Sequence, residues 1–148
     1  MDKVKVIEKH KRLVQALATL QEAFDTFDAI DSLCSPDKKE KREQLERALR
    51  DSVIKRFEYC VDLFWKYLQV YLEKMLTLPI DEGGPKNIFR YCLQVKVLTE
   101  QEVESAFELI ESRNRTSHIY REEIADFVAK KAPSYYEYMC KVVQKTKP

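Results

Sequence analysis

The chain has 148 residues, 45% of them hydrophobic and 34% charged, with a formal net charge of +1. That length supports one domain with its own core and needs no disulfide or metal staple, and the balance of apolar and charged residues excludes a disordered chain. The near-zero net charge lacks the basic excess usual in proteins that hold nucleic acid along a broad face, which counts against nucleic-acid binding and makes any RNA contact local.

Only two glycines occur, adjacent at Gly83 and Gly84, which leaves little material for tight hairpin turns. An all-α, up-and-down helical bundle over residues 1–148 is the expected fold. The start MDKVKVIEKHKR has no apolar signal-peptide core, and no apolar run reaches the ~20 residues of a membrane span. Cys34, Cys60, Cys92 and Cys140 are widely separated with no CxxC pair, so buried free thiols are favoured over disulfides. With only His10 and His118 as histidines, no structural zinc is expected. A cytoplasmic protein without metal or cofactor follows.

The first helix is predicted from about Asp2 to Asp31, because Val6, Leu13, Leu17, Leu20, Phe24 and Phe27 form one apolar stripe. It has to stop before Ser35-Pro36, since the residue before proline is pushed out of the α region. Ser35 is the expected cap of a second helix with Pro36 in its first position. That helix opens with the charged run DKKEKREQLERALRD, a solvated face. It continues through Val53, Phe57, Cys60, Phe64, Leu68, Tyr71 and Met75 to about Leu76, long enough to expect a bend. Leu78-Pro79 and Gly83-Gly84-Pro85 mark the main loop. A short helix with Ile88, Phe89, Cys92 and Leu93 inward follows. Thr99 and Glu102 form a capping box for a fourth helix carrying Val103, Ala106, Phe107 and Ile110. After the polar run Glu111 to His118, a fifth helix with Ile124, Phe127 and Val128 is expected to end at Pro133. Ser134 and Glu137 read as a second capping box that opens the last segment.

The stretch Glu111-Ser112-Arg113-Asn114-Arg115-Thr116-Ser117-His118-Ile119-Tyr120 concentrates the chemistry. Arginine presents a planar fork of donors to phosphate, and histidine exchanges protons near neutrality. Together, without metal ligands, they suit cleavage of RNA by its own 2′-hydroxyl, with His118 as base or acid and Arg113 and Arg115 facing phosphate. Residues five apart on an α-helix are turned by ~140°. Arg113 and His118 therefore face one phosphate only if the helix ends between them or if two copies meet across a dimer. Asn114 and His118, four apart, share a face and can hydrogen-bond. On its own spacing the stretch reads first as a solvated connection between two helices. Tyr59, Trp65, Tyr67 and Tyr71 read as core or dimer interface, and Tyr135, Tyr136 and Tyr138 as packing or an interface.

Two segments carry a family likeness. Arg56 to Leu68, RFEYCVDLFWKYL, resembles a signature in the second helix of the nucleotidyltransferase substrate-binding proteins. Arg113 to Tyr120, RNRTSHIY, resembles that family's RN-x-x-SH-x-Y element. The family belongs to the HEPN superfamily, whose ribonuclease motif places a histidine a few residues after an arginine and a polar residue. The resemblance implies a homodimeric bundle with the two motifs meeting at the interface, and a small MNT-type nucleotidyltransferase as partner. It further implies a toxin–antitoxin pair in which this member is a metal-independent endoribonuclease acting on RNA. Arg113, Asn114 and His118 would be catalytic, and Tyr120 would be the residue adenylylated by the partner. The alternative is a non-catalytic subunit that binds substrate for the nucleotidyltransferase.

Overall fold

The structure, a computed structural model, describes residues 2–148. Among these residues the chain forms six α-helices and no strand, as the glycine-poor sequence requires. They are α1 (Asp2–Asp28), α2 (Ile30–Leu33), α3 (Lys39–Val70), α4 (Pro85–Gln94), α5 (Glu100–Arg115) and α6 (Glu122–Lys145). Among the described residues, no helix is long and apolar enough to cross a membrane.

Pairwise contacts give the helix directions. His10 on α1 meets Tyr67 on α3, while Arg56 reaches the Thr19 carbonyl, so α1 and α3 are antiparallel. Arg50 meets Glu122, Phe57 stacks on Tyr135, and Tyr67 donates to the Thr146 carbonyl. These contacts make α6 parallel to α3. Ser112 pairs with Tyr135, and Tyr138 donates to the Glu102 carbonyl, so α5 runs against α6. The result is an up-down-up-down bundle of α1, α3, α5 and α6, with α4 packed beside α5.

Most of the predicted stripes are buried. Leu13, Leu20, Phe57, Cys60, Phe64, Leu68, Ile88, Phe89 and Ala106 are fully enclosed. Thr99 forms the expected capping box: its hydroxyl accepts from the Glu102 N–H at 3.1 Å, and the Glu102 carboxylate accepts from the Thr99 N–H at 2.9 Å.

Four expectations need correction. The first helix ends at Asp28, with Ala29 separating it from the single turn of α2, rather than running to Asp31. Ser35 caps nothing, and α3 begins at Lys39 without a side-chain cap. The Ser35 carbonyl instead accepts from the Lys38 N–H at 3.1 Å, so Pro36 occupies the second position of a β-turn that its fixed φ suits. Most consequential is α6, which runs unbroken through Pro133. Ser134 is not a cap; its hydroxyl donates to the Lys131 carbonyl at 2.7 Å. Ala125, Val128, Ala132, Tyr135, Met139 and Val142 form one buried stripe across the proline, and that burial outweighs the local cost of one lost backbone bond. Phe127, expected inside, is 41% exposed.

The expected bend in α3 takes another form. Its α-helical pattern persists to Val70 and passes into one wide π turn, Tyr71–Met75.

Candidate functional site

The polar motif lies where α5 gives way to α6. Arg113 and Arg115 occupy the last turn of α5, where their charge complements the negative end of the helix dipole. The α-helix then tightens into a 3₁₀ turn, Thr116–His118. The helix therefore ends between Arg113 and His118, which is one of the two arrangements that the spacing allowed. Arg121 precedes α6, whose first turn carries Glu122 and Glu123 at the positive end of that helix.

Burial alternates through the turn. Thr116 is buried and Ile119 is half-buried, while Ser117, His118 and Tyr120 face solvent. Thr116 anchors the turn: its hydroxyl donates to the Arg113 carbonyl at 2.6 Å and accepts from Arg113 Nη1 at 3.0 Å. His118 Nδ1 lies 3.2 Å from the Tyr120 hydroxyl, and Tyr120 is 76% exposed. Its ring does not pack on the following helix. The hydrogen bond of His118 goes to Tyr120 rather than to Asn114. Asn114 is exposed, and its carbonyl accepts from the Ser117 hydroxyl at 3.0 Å. Arg115 lies over the face of Phe127, 5.2 Å from the ring centre, and with Lys131 it edges a cleft of about 160 Å³.

Arg113 is committed inward. Its Nε and Nη2 donate to the two carboxylate oxygens of Asp62 at 3.2 Å each, and Nη1 lies 3.0 Å from Glu58. Hydrogen bonding to Asp62 raises its pKa, burial opposes that, and the charges of Asp62 and Glu58 add to the rise. Of the five N–H groups on a guanidinium, three are hydrogen-bonded, two to Asp62 and one to Thr116. Nη1 also lies against Glu58, so only the second Nη2 N–H is left without one of these partners.

A second arginine holds the other end. Arg50 on α3 is almost fully enclosed and donates from Nη1 to Glu122 at 2.6 Å and to Asp126 at 3.0 Å, with Asp51 at Nε. Burial alone would lower its pKa, but the hydrogen bonds to Glu122, Asp126 and Asp51 override that and raise it. The motif turn is thus pinned to α3 at both ends, through Arg113 before it and Arg50 after it.

Glu58, Asp62 and Arg50 were not singled out as site residues in the sequence. Glu58 and Asp62 sit four apart inside the RFEYCVD segment, one helical turn from each other. That spacing, beside a half-buried arginine elsewhere in the chain, was the available signal. The aromatic groups divide. Tyr67 is fully buried, Trp65 and Tyr71 are partly buried, and Tyr59 is 53% exposed. Tyr135, Tyr136 and Tyr138 pack against Phe57, Phe24 and Phe64 respectively.

The sequence model for nucleotidyltransferase substrate-binding-like proteins matches residues 8–147. The chain belongs to that family. The match takes in the α3 segment and the motif turn together, consistent with a place in the HEPN superfamily. The bundle is also similar to a crystal structure of a protein from Thermus thermophilus, 30% identical, with a TM-score of 0.70 over 92% of this chain and 99% of that one. A comparison with curated proteins gave no match. In this family member, two polar clusters on α3, one around Arg113 and one around Arg50, bracket the motif turn.

Proposed function

We propose that this chain is the HEPN-type partner of a small MNT-type nucleotidyltransferase, and that it cleaves RNA without metal at a site completed across a homodimer. The observation that carries the reading is the exposed His118 on an anchored turn, hydrogen-bonded at 3.2 Å to an equally exposed Tyr120. In the reaction, one His118 takes the proton of the RNA 2′-hydroxyl. That oxygen attacks phosphorus, the bond to the 5′-oxygen breaks, and the departing oxygen is protonated by the second copy's His118. The products are a 2′,3′-cyclic phosphate and a 5′-hydroxyl. Arg113 contributes its remaining Nη2 N–H and its hold on the turn, Asn114 lies one residue beyond it, and Arg115 supplies nearby charge. Tyr120 is the acceptor through which the partner controls the site. His118 takes the phenolic proton, the phenolate attacks the α-phosphorus of ATP, pyrophosphate leaves, and the attached AMP covers His118.

One observation favours a second reading. Arg113 is already paired with Glu58 and Asp62, which suits a non-catalytic subunit whose turn serves only to engage the nucleotidyltransferase and its substrate.

The experiment that separates them is RNA cleavage by the purified protein in EDTA. The first reading expects cyclic phosphate ends and a loss of ~10²–10⁴ in rate for His118→Ala. No cleavage by the wild type, or equal cleavage by the variant, overturns it. Incubation with the nucleotidyltransferase, ATP and magnesium should add whole AMP masses to the wild type and none to Tyr120→Phe.

A further inference from the structure

Helix α1 carries two apolar seams. One, through Val6, Leu13, Leu17, Leu20 and Phe24, is the core stripe. The other follows Val4, Ile7, Lys11, Val14 and Ala18, alternating steps of three and four, which is the spacing of a helix-packing seam. All five of these residues are exposed. Val4, Ile7 and Val14 expose 56%, 45% and 44% of their surface and are among the large apolar side chains that the bundle leaves uncovered.

The second seam continues into a groove. Val14, Ala18, His10, Cys140, Val143 and Lys147 line a cleft of about 420 Å³ between α1 and the end of α6. Apolar seam and adjoining groove together make an extended strip of the kind that receives a helix laid along it. The strip lies at the far end of α6 from the motif turn, since Glu122 and Val143 are separated by 21 residues, or about 30 Å of helix. A ligand bound there leaves His118 and Tyr120 free.

Charge selects the occupant. Lys11 sits in the centre of the seam, and Lys3, His10 and Lys147 border the same side; Glu8 lies on the opposite flank. The midpoint of Val4 and Ala18 is Lys11. A second copy pairing by two-fold symmetry, parallel or antiparallel in register, would set Lys11 against its own equivalent, and like charges facing each other oppose such packing.

We propose that this face of α1 docks an amphipathic helix of another protein, with apolar residues along its seam and acidic residues opposite Lys11 and along the Lys3–Lys147 side. The proposal is independent of the ribonuclease reading.

The test uses the full chain and a labelled helical peptide designed as the probe, with leucines along one seam and glutamates flanking it. Fluorescence anisotropy should show micromolar binding, weakened at least tenfold by Val14→Glu and by Lys11→Glu. Both positions are exposed, and circular dichroism checks that the variants fold. A peptide with lysines replacing the glutamates should bind at least tenfold more weakly than the acidic one. Absence of binding, or equal binding by both variants, overturns the proposal. A dimer in sedimentation that Val14→Glu dissociates would assign the face to a second copy instead. Loss of vesicle binding in that variant, measured with phosphatidylserine vesicles, would assign it to a membrane. Either outcome also overturns the proposal.

Discussion

Replacing Arg113 with methionine keeps most of its aliphatic length and removes only the guanidinium. Two carboxylates lose their partner, and their exposure sets what each loss costs. The Asp62 side chain is 41% exposed, so water replaces much of what the guanidinium supplied, and its share is at most ~1 kcal/mol. The Glu58 side chain is only 18% exposed, and the nearest other cation, Lys55 Nζ, is 3.8 Å away and itself largely solvated. Stranding a nearly enclosed polar group costs ~1–3 kcal/mol. The total is about 1–4 kcal/mol, which for a domain of this size lowers the melting temperature by roughly 3–15 °C. Thermal unfolding followed by circular dichroism measures it. Adding Glu58→Gln to the Arg113→Met variant should recover part of the loss, because it removes the stranded charge rather than a contact. A drop below about 1 °C, or a further loss in the double variant, would refute the view that Arg113 clamps α5 to α3. The same measurement governs how activity data are read. A fall in RNA cleavage by Arg113→Met counts as a lost phosphate contact only after this stability loss is taken into account.

Other consequences follow from single contacts. Pro133→Ala should raise the melting temperature, since it restores a donor in the middle of α6 at an exposed position; a gain of ~1–2 kcal/mol is expected after the greater freedom of the unfolded chain is subtracted. Burial alone would raise the Glu102 pKa, but the Lys145 ammonium at 2.7 Å and the Thr99 N–H hold it below the usual carboxylate value. A depressed folded pKa contributes stability above the ordinary carboxylate range and loses it as pH falls. Wild type should therefore lose stability relative to Glu102→Gln between roughly pH 5 and pH 3, measured by urea unfolding. Burial pushes the Cys60 and Cys92 thiols up to about 12. Iodoacetamide at neutral pH should leave both unmodified in the native protein, with all four cysteines labelled only after denaturation, as read by intact mass.

Local rules succeeded where the governing contacts are close in sequence. The Thr99–Glu102 box spans four positions and is readable from those four letters alone. The stripe of α3 needs only a count of threes and fours, and five of its seven members are buried. Pro133 shows the limit of that approach. It is a strong local signal, yet the residues on either side belong to one buried stripe, and the energy of that stripe comes from packing on α3, α1 and α5 rather than from α6 itself. Phe127 misled for a similar reason: its side chain supports Arg115 at the surface instead of filling the core. The site was half legible. RNRTSHIY marks the turn, but the partners that hold it are Glu58 and Asp62, 55 and 51 residues before Arg113, and Arg50, 72 residues before Glu122. No periodicity links residues so far apart.

Those distant partners bear on how the turn works. A turn of three residues between two helices has few hydrogen bonds of its own, and here the main internal ones run through Thr116 and Ser117. Left to local forces, it would present His118 in many orientations, and a proton-transfer group gains only when it is held in place. The two arginines remove that freedom from outside. Arg113 fixes the end of α5 against α3, and Arg50 fixes the start of α6 against the same helix eight residues before Glu58. Both ends of the turn are thus referred to one rigid rod, with His118 and Tyr120 the exposed pair beyond the clamp. The near neutrality of the chain fits this arrangement. Arg113 is matched by the α3 acids Glu58 and Asp62 and Arg121 by Glu123 on α6, so the turn is governed by placement of a few groups rather than by a broad field.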